Sequence, residues 1–298
     1  MSIVALIKAM PASIAQGLIW GVMALGVYVT YKILDFADLT VDGSFCTGGA
    51  VAAMLIIGGM DPTLALLFSF IAGMAAGLVT GVFHTRLGIP PILAGILTQL
   101  ALYSINMRIM GKATQSISVN KYTLTVSLRH VPQSILVGII FVGAVVAVLY
   151  WFFGTEIGCA VRATGANPRM ARAQGISTDN MKLLALVLSN GLVSMSGGLY
   201  AQFQGAADIN MGRGAIVIGL AAVIIGEVVF GLRFNFAYQL ASIAGGAVIY
   251  YIVIALVLQM GLSTTDLKLF SALTVAVALA IPYLKGKYRC AKGVRPHA

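Results

Sequence analysis

Nine stretches of this chain run 16 residues or longer with almost no ionisable side chain, and that spacing limits what it can fold into more than any other feature. They lie between Lys8 and Lys32, then at 43–60, 62–85, 87–107, 130–155, 183–207, 214–232 (interrupted by Glu227), 234–265 and 269–284. A helix that crosses a bilayer needs ~20 apolar residues, so each run reaches or approaches spanning length. Lipid forces a spanning backbone into helices or a closed barrel. These runs are too long and too weakly alternating for barrel strands of about ten residues. Charged residues make up only 9% of the chain, against roughly 25% in soluble domains, too few to cover a water-exposed surface. The expected fold class is an all-α polytopic membrane protein with about eight or nine transmembrane helices, one transmembrane domain over 1–298. That many spans leave no room for a soluble catalytic domain. The first run is too long for a removable signal peptide, and no small-residue cleavage pattern follows it.

Orientation follows from lysine and arginine. The tail 285–298 carries Lys285, Lys287, Arg289, Lys292 and Arg295 without an acid, so it is expected to be cytoplasmic. Counting back places Arg233, the 156–182 loop with Arg162, Arg169, Arg172 and Lys182, and the His84–Arg86 turn on the same side. The 108–129 loop then lies outside despite Arg108, Lys112, Lys121 and Arg129, and the N-terminus is also outside. The net charge of +10 restates this anchoring against membrane lipid. Its basic residues are dispersed rather than interleaved with aromatics, so no nucleic-acid partner is expected.

Several chemistries are excluded. Cys46, Cys159 and Cys290 show neither metal-ligand spacing nor a pairing logic, and His84, His130 and His297 stand apart from acids and cysteines at ligand spacing. No metal site is expected. The nearest approach to a phosphate-binding loop, Gly111-Lys112-Ala113, lacks the hydroxyl and the glycine-rich lead. The chain therefore carries no cofactor of its own, and if ATP drives it another subunit hydrolyses the ATP.

The basic loop 156–182 is the most informative stretch. Asn167 suits an N-cap, Pro168 the first helical position and Gly175 the stop, which encodes a helix of about two turns, too short to stand alone in water. It is either an amphipathic helix resting on the lipid surface or a docking helix that enters a groove on a soluble partner. Ala163, Gly165, Ala171 and Ala173 would permit close approach, and Arg162, Arg169 and Arg172 would supply polar fastening.

The pattern Arg162-Ala163-x-Gly165-x-Asn167-Pro168-x-x-Ala171-Arg172-x-x-Gly175-Ile176 resembles the coupling loop of bacterial ABC importer permeases of the branched-chain amino acid and ribose type. Residues 17–55 resemble that family's first two spans through Gly26-Val27-Tyr28 and Leu34-Asp35-Phe36-Ala37. Asp38-Leu39-Thr40-Val41-Asp42-Gly43-Ser44 resembles a branch found beside lipoproteins thought to bind aromatic amino acids. The resemblance implies a multi-pass subunit of the bacterial plasma membrane that forms a permease homodimer. Its implied partners are two cytoplasmic ABC ATPase subunits, which bind ATP and Mg, and an extracellular or periplasmic binding (lipo)protein that delivers the solute. Carried over by position, Arg162, Ala163, Gly165, Asn167, Pro168, Arg169, Met170, Ala171, Arg172 and Gly175 would contact the ATPase. The alternative is a secondary transporter or channel that needs no ATPase. A membrane-embedded enzyme is disfavoured because no span carries an acid–base, nucleophile or metal constellation.

One feature points to transport independently of the family. Ala37-Asp38-Leu39-Thr40-Val41 recurs as Ala207-Asp208-Ile209-Asn210-Met211, and at the same offset Gly49 meets Gly219 and Ala52 meets Ala222. Five spans separate the copies, so they face opposite sides, as in the inverted repeats of transporters. Asp38, Thr40, Asp42, Ser44, Asp208, Asn210 and Glu227 are accordingly candidates for a translocation path or gate. Asp35, Asp38 and Asp42 can instead lie in the loop between the first two spans, paired with Lys32, and Glu227 can pair with a basic residue. Gln99, Tyr103 and Asn106 form a helical stripe, as do Asn190, Ser194 and Gly197-Gly198; each is either helix–helix glue or pore lining. The Gly73-x-x-x-Gly77-x-x-x-Gly81 ridge serves either packing within the subunit or a dimer seam.

Overall fold

The computed structural model describes residues 3–118, 124–231 and 235–259, with five further positions between Leu269 and Ala280. The rest of the ninth apolar run, the basic tail, Lys121 and Arg233 lie outside the described residues. The helices are α1 (Ile3–Tyr28), α2 (Thr40–Ile57), α3 (Pro62–Thr85), α4 (Pro91–Met110), α5 (Val131–Gly154), α6 (Glu156–Ala166), α7 (Pro168–Ala173), α8 (Thr178–Gln204), α9 (Ala215–Phe230) and α10 (Phe236–Gln259). A wider turn, Val29–Ile33, prolongs α1. Two three-residue strands, β1 (Thr114–Ser116) and β2 (Ala206–Asp208), pair antiparallel. Among the described residues, seven helices are long and apolar enough to cross a membrane, α2 the shortest of them, and α9 is a shorter apolar one. The fold is the all-helical polytopic one expected from the apolar runs.

Polar contacts sort the helix ends. At one end Lys32 meets Glu227, Lys182 meets His84, and Gly165 lies against the carbonyl of Ile33. At the other, β1 pairs β2, and Gln202 holds two connections at once, accepting from the Thr125 N–H at 3.1 Å and donating to the Pro62 carbonyl at 3.1 Å. The first end, called inner here, carries the basic 156–182 loop.

Helix α8 is the hub. Ser189 and Ser196 donate to the carbonyls of Gly26 and Ile19 on α1, and Ser194 donates to Ser69 on α3. Such approach to backbone requires small residues on the partner helix. A Cβ on Gly73 or Gly77 would overlap the carbonyls of Asn190 or Leu186, one on Gly48 would overlap that of Ser194, and Gly81 rests on Leu183. The Gly73–Gly77–Gly81 ridge is therefore the α3–α8 packing surface. In lipid, where no hydrophobic force joins helices, close packing of this kind and hydroxyl bonds carry the association. By contrast α5 turns Leu136, Ile139, Ile140 and Val148 outward, as a lipid-facing helix does.

The two shortest of these apolar helices, α2 and α9, each follow a stretch of non-helical chain. At 1.5 Å per residue the 18 residues of α2 and 16 of α9 span about 27 and 24 Å, less than the ~30 Å hydrocarbon core. The remaining depth is taken by non-helical chain, 34–39 before α2 and 205–214, which contains β2, before α9. Non-helical backbone at membrane depth is tolerated only when protein covers it, and Leu34, Phe36, Asp38, Ala207 and Ile209 are all buried.

Candidate functional site

The two irregular segments use the same local device. Asp38 Oδ1 accepts the N–H of Thr40 at 2.9 Å, and Asp208 Oδ1 accepts the N–H of Asn210 at 2.7 Å. The sequence repeat is thus a repeated aspartate turn, one copy opening from the inner end and one from the outer. Asp35, just ahead of the first copy, holds φ 54°, a left-handed conformation that a carboxylate side chain tolerates better than most.

Around Asp38 the polar groups close on one another. Its Oδ2 accepts from Asn190 Nδ2 at 2.7 Å, and Asn190 Oδ1 accepts from Ser44 Oγ at 2.6 Å. Thr40 and Thr80 share a hydroxyl bond at 2.7 Å, and Thr80 donates to Thr98 at 3.0 Å. Asp38, Thr40, Ser44, Thr80, Thr98 and Asn190 are all 2% exposed or less, so this group links α2, α3, α4 and α8 and offers nothing to a solute in this conformation. Of the predicted path residues, Asp38, Thr40 and Ser44 belong here, and Lys32 pairs with none of the nearby acids.

Asp42 has a different role. The N-cap position of α9 is Gly214, at φ +87°, a glycine conformation without a capping side chain. Asp42 supplies the cap from α2: its Oδ2 accepts from Gly214 N–H at 2.9 Å and its Oδ1 from Ile216 N–H at 3.0 Å. Residues 209–214 run down α2 to reach it, with the Cys46 thiol donating to the Ile209 carbonyl at 3.2 Å and accepting from Gly212 N–H at 3.1 Å. The starts of the two short helices therefore meet, joined by a carboxylate against the positive end of α9. Asp208 and Asn210 sit farther out, where Asp208 also accepts from the Thr114 hydroxyl of β1. Glu227 lies at the inner end of α9, both oxygens 3.2 Å from Lys32 Nζ. The seven path candidates thus fall into four separate places.

The Gln99–Tyr103–Asn106 stripe of α4 borders a pocket of about 130 Å³ shared with Asp42, Cys46, Ile209 and Arg213. Asn106 is 1% exposed, and its Oδ1 has no hydrogen-bond partner among the described residues, a state that costs ~1–3 kcal/mol when nothing fills it. Sequence reasoning passed over Arg213; its signal was a lone cation at the head of the 214–232 apolar run. The Asn190–Ser194–Gly197 stripe, by contrast, is consumed by packing, since a Cβ on Gly197 would overlap the Phe45 carbonyl.

The second cluster lies at the inner end. Thr155 accepts from Gly158 N–H at 3.3 Å and starts α6, a cap that the sequence reading did not assign. Asn167 Oδ1 accepts from Arg169 and Met170 N–H, both at 3.1 Å, so Asn167 caps the six-residue α7 and Pro168 takes its first position. Gly175, at φ +81°, follows the helix, and Ile176 N–H returns to the Ala171 carbonyl at 3.0 Å. Only Ala171 of α7 is buried, while Met170 is 62% exposed. The arginines diverge. Arg169 faces outward. The Arg172 guanidinium donates to Thr178 Oγ1 at 2.7 Å and to Asp179 at 3.3 Å, fastening α7 to α8. The Arg162 guanidinium lies 4.0 Å from the Phe236 ring centroid and 5.4 Å from that of Phe153, turned towards α10 and α5. Ala163 is half-buried on α6, and Gly165 touches the turn at Ile33.

A chain whose capped inner helix rides on a bundle built around two opposed half-helices has the anatomy of a transport subunit. Residues 10–282 match the family described as branched-chain amino acid transport system / permease component. The chain belongs to that family. Among its relatives, the permease is 39% identical over 265 residues to a tyrosine transport system permease protein of Clostridioides difficile (strain R20291), covering 89% of this chain and 88% of that one. It is 26% identical over 271 residues to a probable branched-chain amino acid transport permease protein, LivH, of Methanocaldococcus jannaschii, covering 80% and 83%. Among solved structures, PsaBC from Streptococcus pneumoniae in complex with Fab superposes with a TM-score of 0.54 at 14% identity, covering 93% of this permease and 95% of that chain; that likeness concerns the fold alone. The permease is a multi-pass membrane protein of an ABC-type import family.

Proposed function

We propose that this permease carries an aromatic amino acid, tyrosine first, across the bacterial plasma membrane in an ATP-driven importer. The observation that carries the reading is the 39% identity, over nearly the full length of both chains, to a tyrosine transport permease. In this reading 1–298 is one transmembrane domain, two copies form the pathway, and ATP and Mg are bound by partner ATPase subunits. An external binding protein delivers the solute. Exposed Arg169 and Met170, with Asn167 and Pro168 holding the helix that presents them, would seat in the ATPase. Arg162, Arg172 and Gly165 would tie that helix back to the spans, so that movement of the ATPase reaches α1, α8 and α10.

The test is reconstitution with a cognate ATPase and binding protein. ATP-dependent accumulation of labelled tyrosine in proteoliposomes is the expected result. Accumulation of leucine or a sugar without tyrosine would overturn the solute assignment. Met170→Asp puts a charge on the exposed face of α7 without touching its cap; equal recovery of ATPase by wild type and variant in a pull-down would show that the docking face lies elsewhere.

A further inference from the structure

We infer that the pocket between α2, α4 and residues 209–213 is a binding site for the zwitterionic head group of a free amino acid. The inference rests on the amino-acid reading above and adds to it a place in the permease where the solute is held.

The lining has the chemistry that such a head group needs. Arg213 supplies a planar fork of N–H donors, which matches a carboxylate two bonds at a time. Among the described residues no carboxylate stands within ion-pair distance of it. Asp42, in the same lining, supplies the negative charge. Each of its oxygens spends one acceptor position on the start of α9, and a carboxylate has about four, so acceptor capacity remains for an ammonium. Asn106 lines the same space, and its Oδ1 is buried without a hydrogen-bond partner among the described residues. Gln99 and Tyr103 complete the polar rim. One cation, one anion and a spare amide acceptor fit a solute that carries both charges, and a solute with only one leaves the opposite charge unmet.

Size limits what else is recognised. At about 130 Å³ the pocket exceeds the ~10–15 Å³ that a single water requires on the same measure, so it takes a small polar group. Beyond Arg213, on the side of α1 and α10, lies an apolar hollow of about 590 Å³ lined by Val217, Tyr250, Tyr251 and Ile254. The smaller pocket therefore reads the part that all amino acids share, and choice among side chains falls to other surfaces.

The experiment uses the full chain in lipid nanodiscs, with saturation-transfer NMR against four probes: glycine, L-tyrosine, tyramine and 3-(4-hydroxyphenyl)propionate. Glycine and tyrosine are expected to show transfer. Tyramine, without the carboxylate, and the propionate, without the amine, are expected to show at least tenfold less. Asn106→Leu and Arg213→Gln are expected to abolish the glycine signal, and Tyr103→Phe to reduce it about twofold. A monodisperse elution profile for each variant separates loss of the site from loss of fold. Equal signals from tyrosine and tyramine would overturn the inference, as would glycine binding unchanged in both Asn106→Leu and Arg213→Gln. Glycine binding by a permease whose reconstituted complex accumulates no tyrosine would leave the head-group site standing and remove only the proposed solute.

Discussion

The aspartate turns ahead of α2 and α9 share their sequence and their backbone bond but not their surroundings. At the inner copy Asp38 is 2% exposed, and its second oxygen accepts from Asn190, which in turn holds Ser44. At the outer copy Asp208 sits beside an exposed Asn210, and its second oxygen takes the Thr114 hydroxyl of a two-stranded ribbon. The backbone bond from aspartate to the second residue on is local, so any copy of the motif makes it. What the other oxygen does depends on the helix that happens to pass. The inner turn is locked into the bundle by α8, and the outer turn is tied to a surface loop. The two copies of the turn therefore share how the chain breaks at each end and differ in how firmly each break is held.

The sharpest way to break that contrast is Asp38→Ala. It strips the acceptor from the Thr40 N–H and from Asn190 Nδ2 in a region closed to water. An unsatisfied buried donor costs ~1–3 kcal/mol, so the two together predict a loss of about 3 kcal/mol and a clear fall in the thermal midpoint in nanodiscs. Asp38→Asn is expected to cost about half as much, because its one amide oxygen can still accept from either the Thr40 N–H or Asn190 Nδ2, whose orientation is fixed by a second bond to the Leu186 carbonyl at 3.0 Å. Equal losses for the two substitutions would show that charge, rather than the hydrogen-bond pattern, holds the inner turn.

Asp42 follows in expected size. Asp42→Ala leaves Gly214 and Ile216 N–H without an acceptor at the start of α9, and the loss of a helix cap is worth ~0.5–2 kcal/mol. Asp42→Asn keeps one acceptor oxygen and loses the charge that favours the positive helix end by ~0.3–1 kcal/mol. The order of midpoints, wild type above Asn above Ala, is the result expected. A midpoint for Asp42→Ala equal to that of wild type would mean that Gly214 and Ile216 find other acceptors and that the two half-helices do not depend on one another.

How much of this was legible depended on the range of each interaction. The apolar runs gave the spans, because span length is a property of consecutive residues. The helix at 168–173 was readable from Asn167, Pro168 and Gly175, since a cap, a first-turn proline and a left-handed stop all act within two or three residues. The direction of the loop's arginines was not. Arg162 and Arg172 have the composition of outward fastening but turn to Phe236 and Asp179, which only the folded chain brings near. Asp42 reads as a costly acid in a span, and its partners lie 172 and 174 positions away. The glycine ridge was visible as a ridge, yet nothing in its own sequence says that α8 covers it. Arg213 was missed for the same reason, because its neighbours Asp42 and Asn106 come from two other helices.

The smallest effect is expected at the outer turn. Asp208→Ala removes acceptors from Asn210 N–H and Thr114 Oγ1, but water can replace both at an exposed edge, so the net loss is that of ordinary hydrogen bonds, ~0.5–1.5 kcal/mol at most. Thr114→Val should reproduce part of it, and the double variant should cost less than the sum, since the two side chains share one bond. Asp208→Ala combined with Asp38→Ala should instead be additive to within ~0.5 kcal/mol, as expected of sites with no common partner. A coupling larger than about 1 kcal/mol between the two aspartates would mean that the turns communicate across the membrane through α2 and α9. The repeat would then describe one mechanical unit, two linked ends of a single gate, instead of two breaks of unequal firmness.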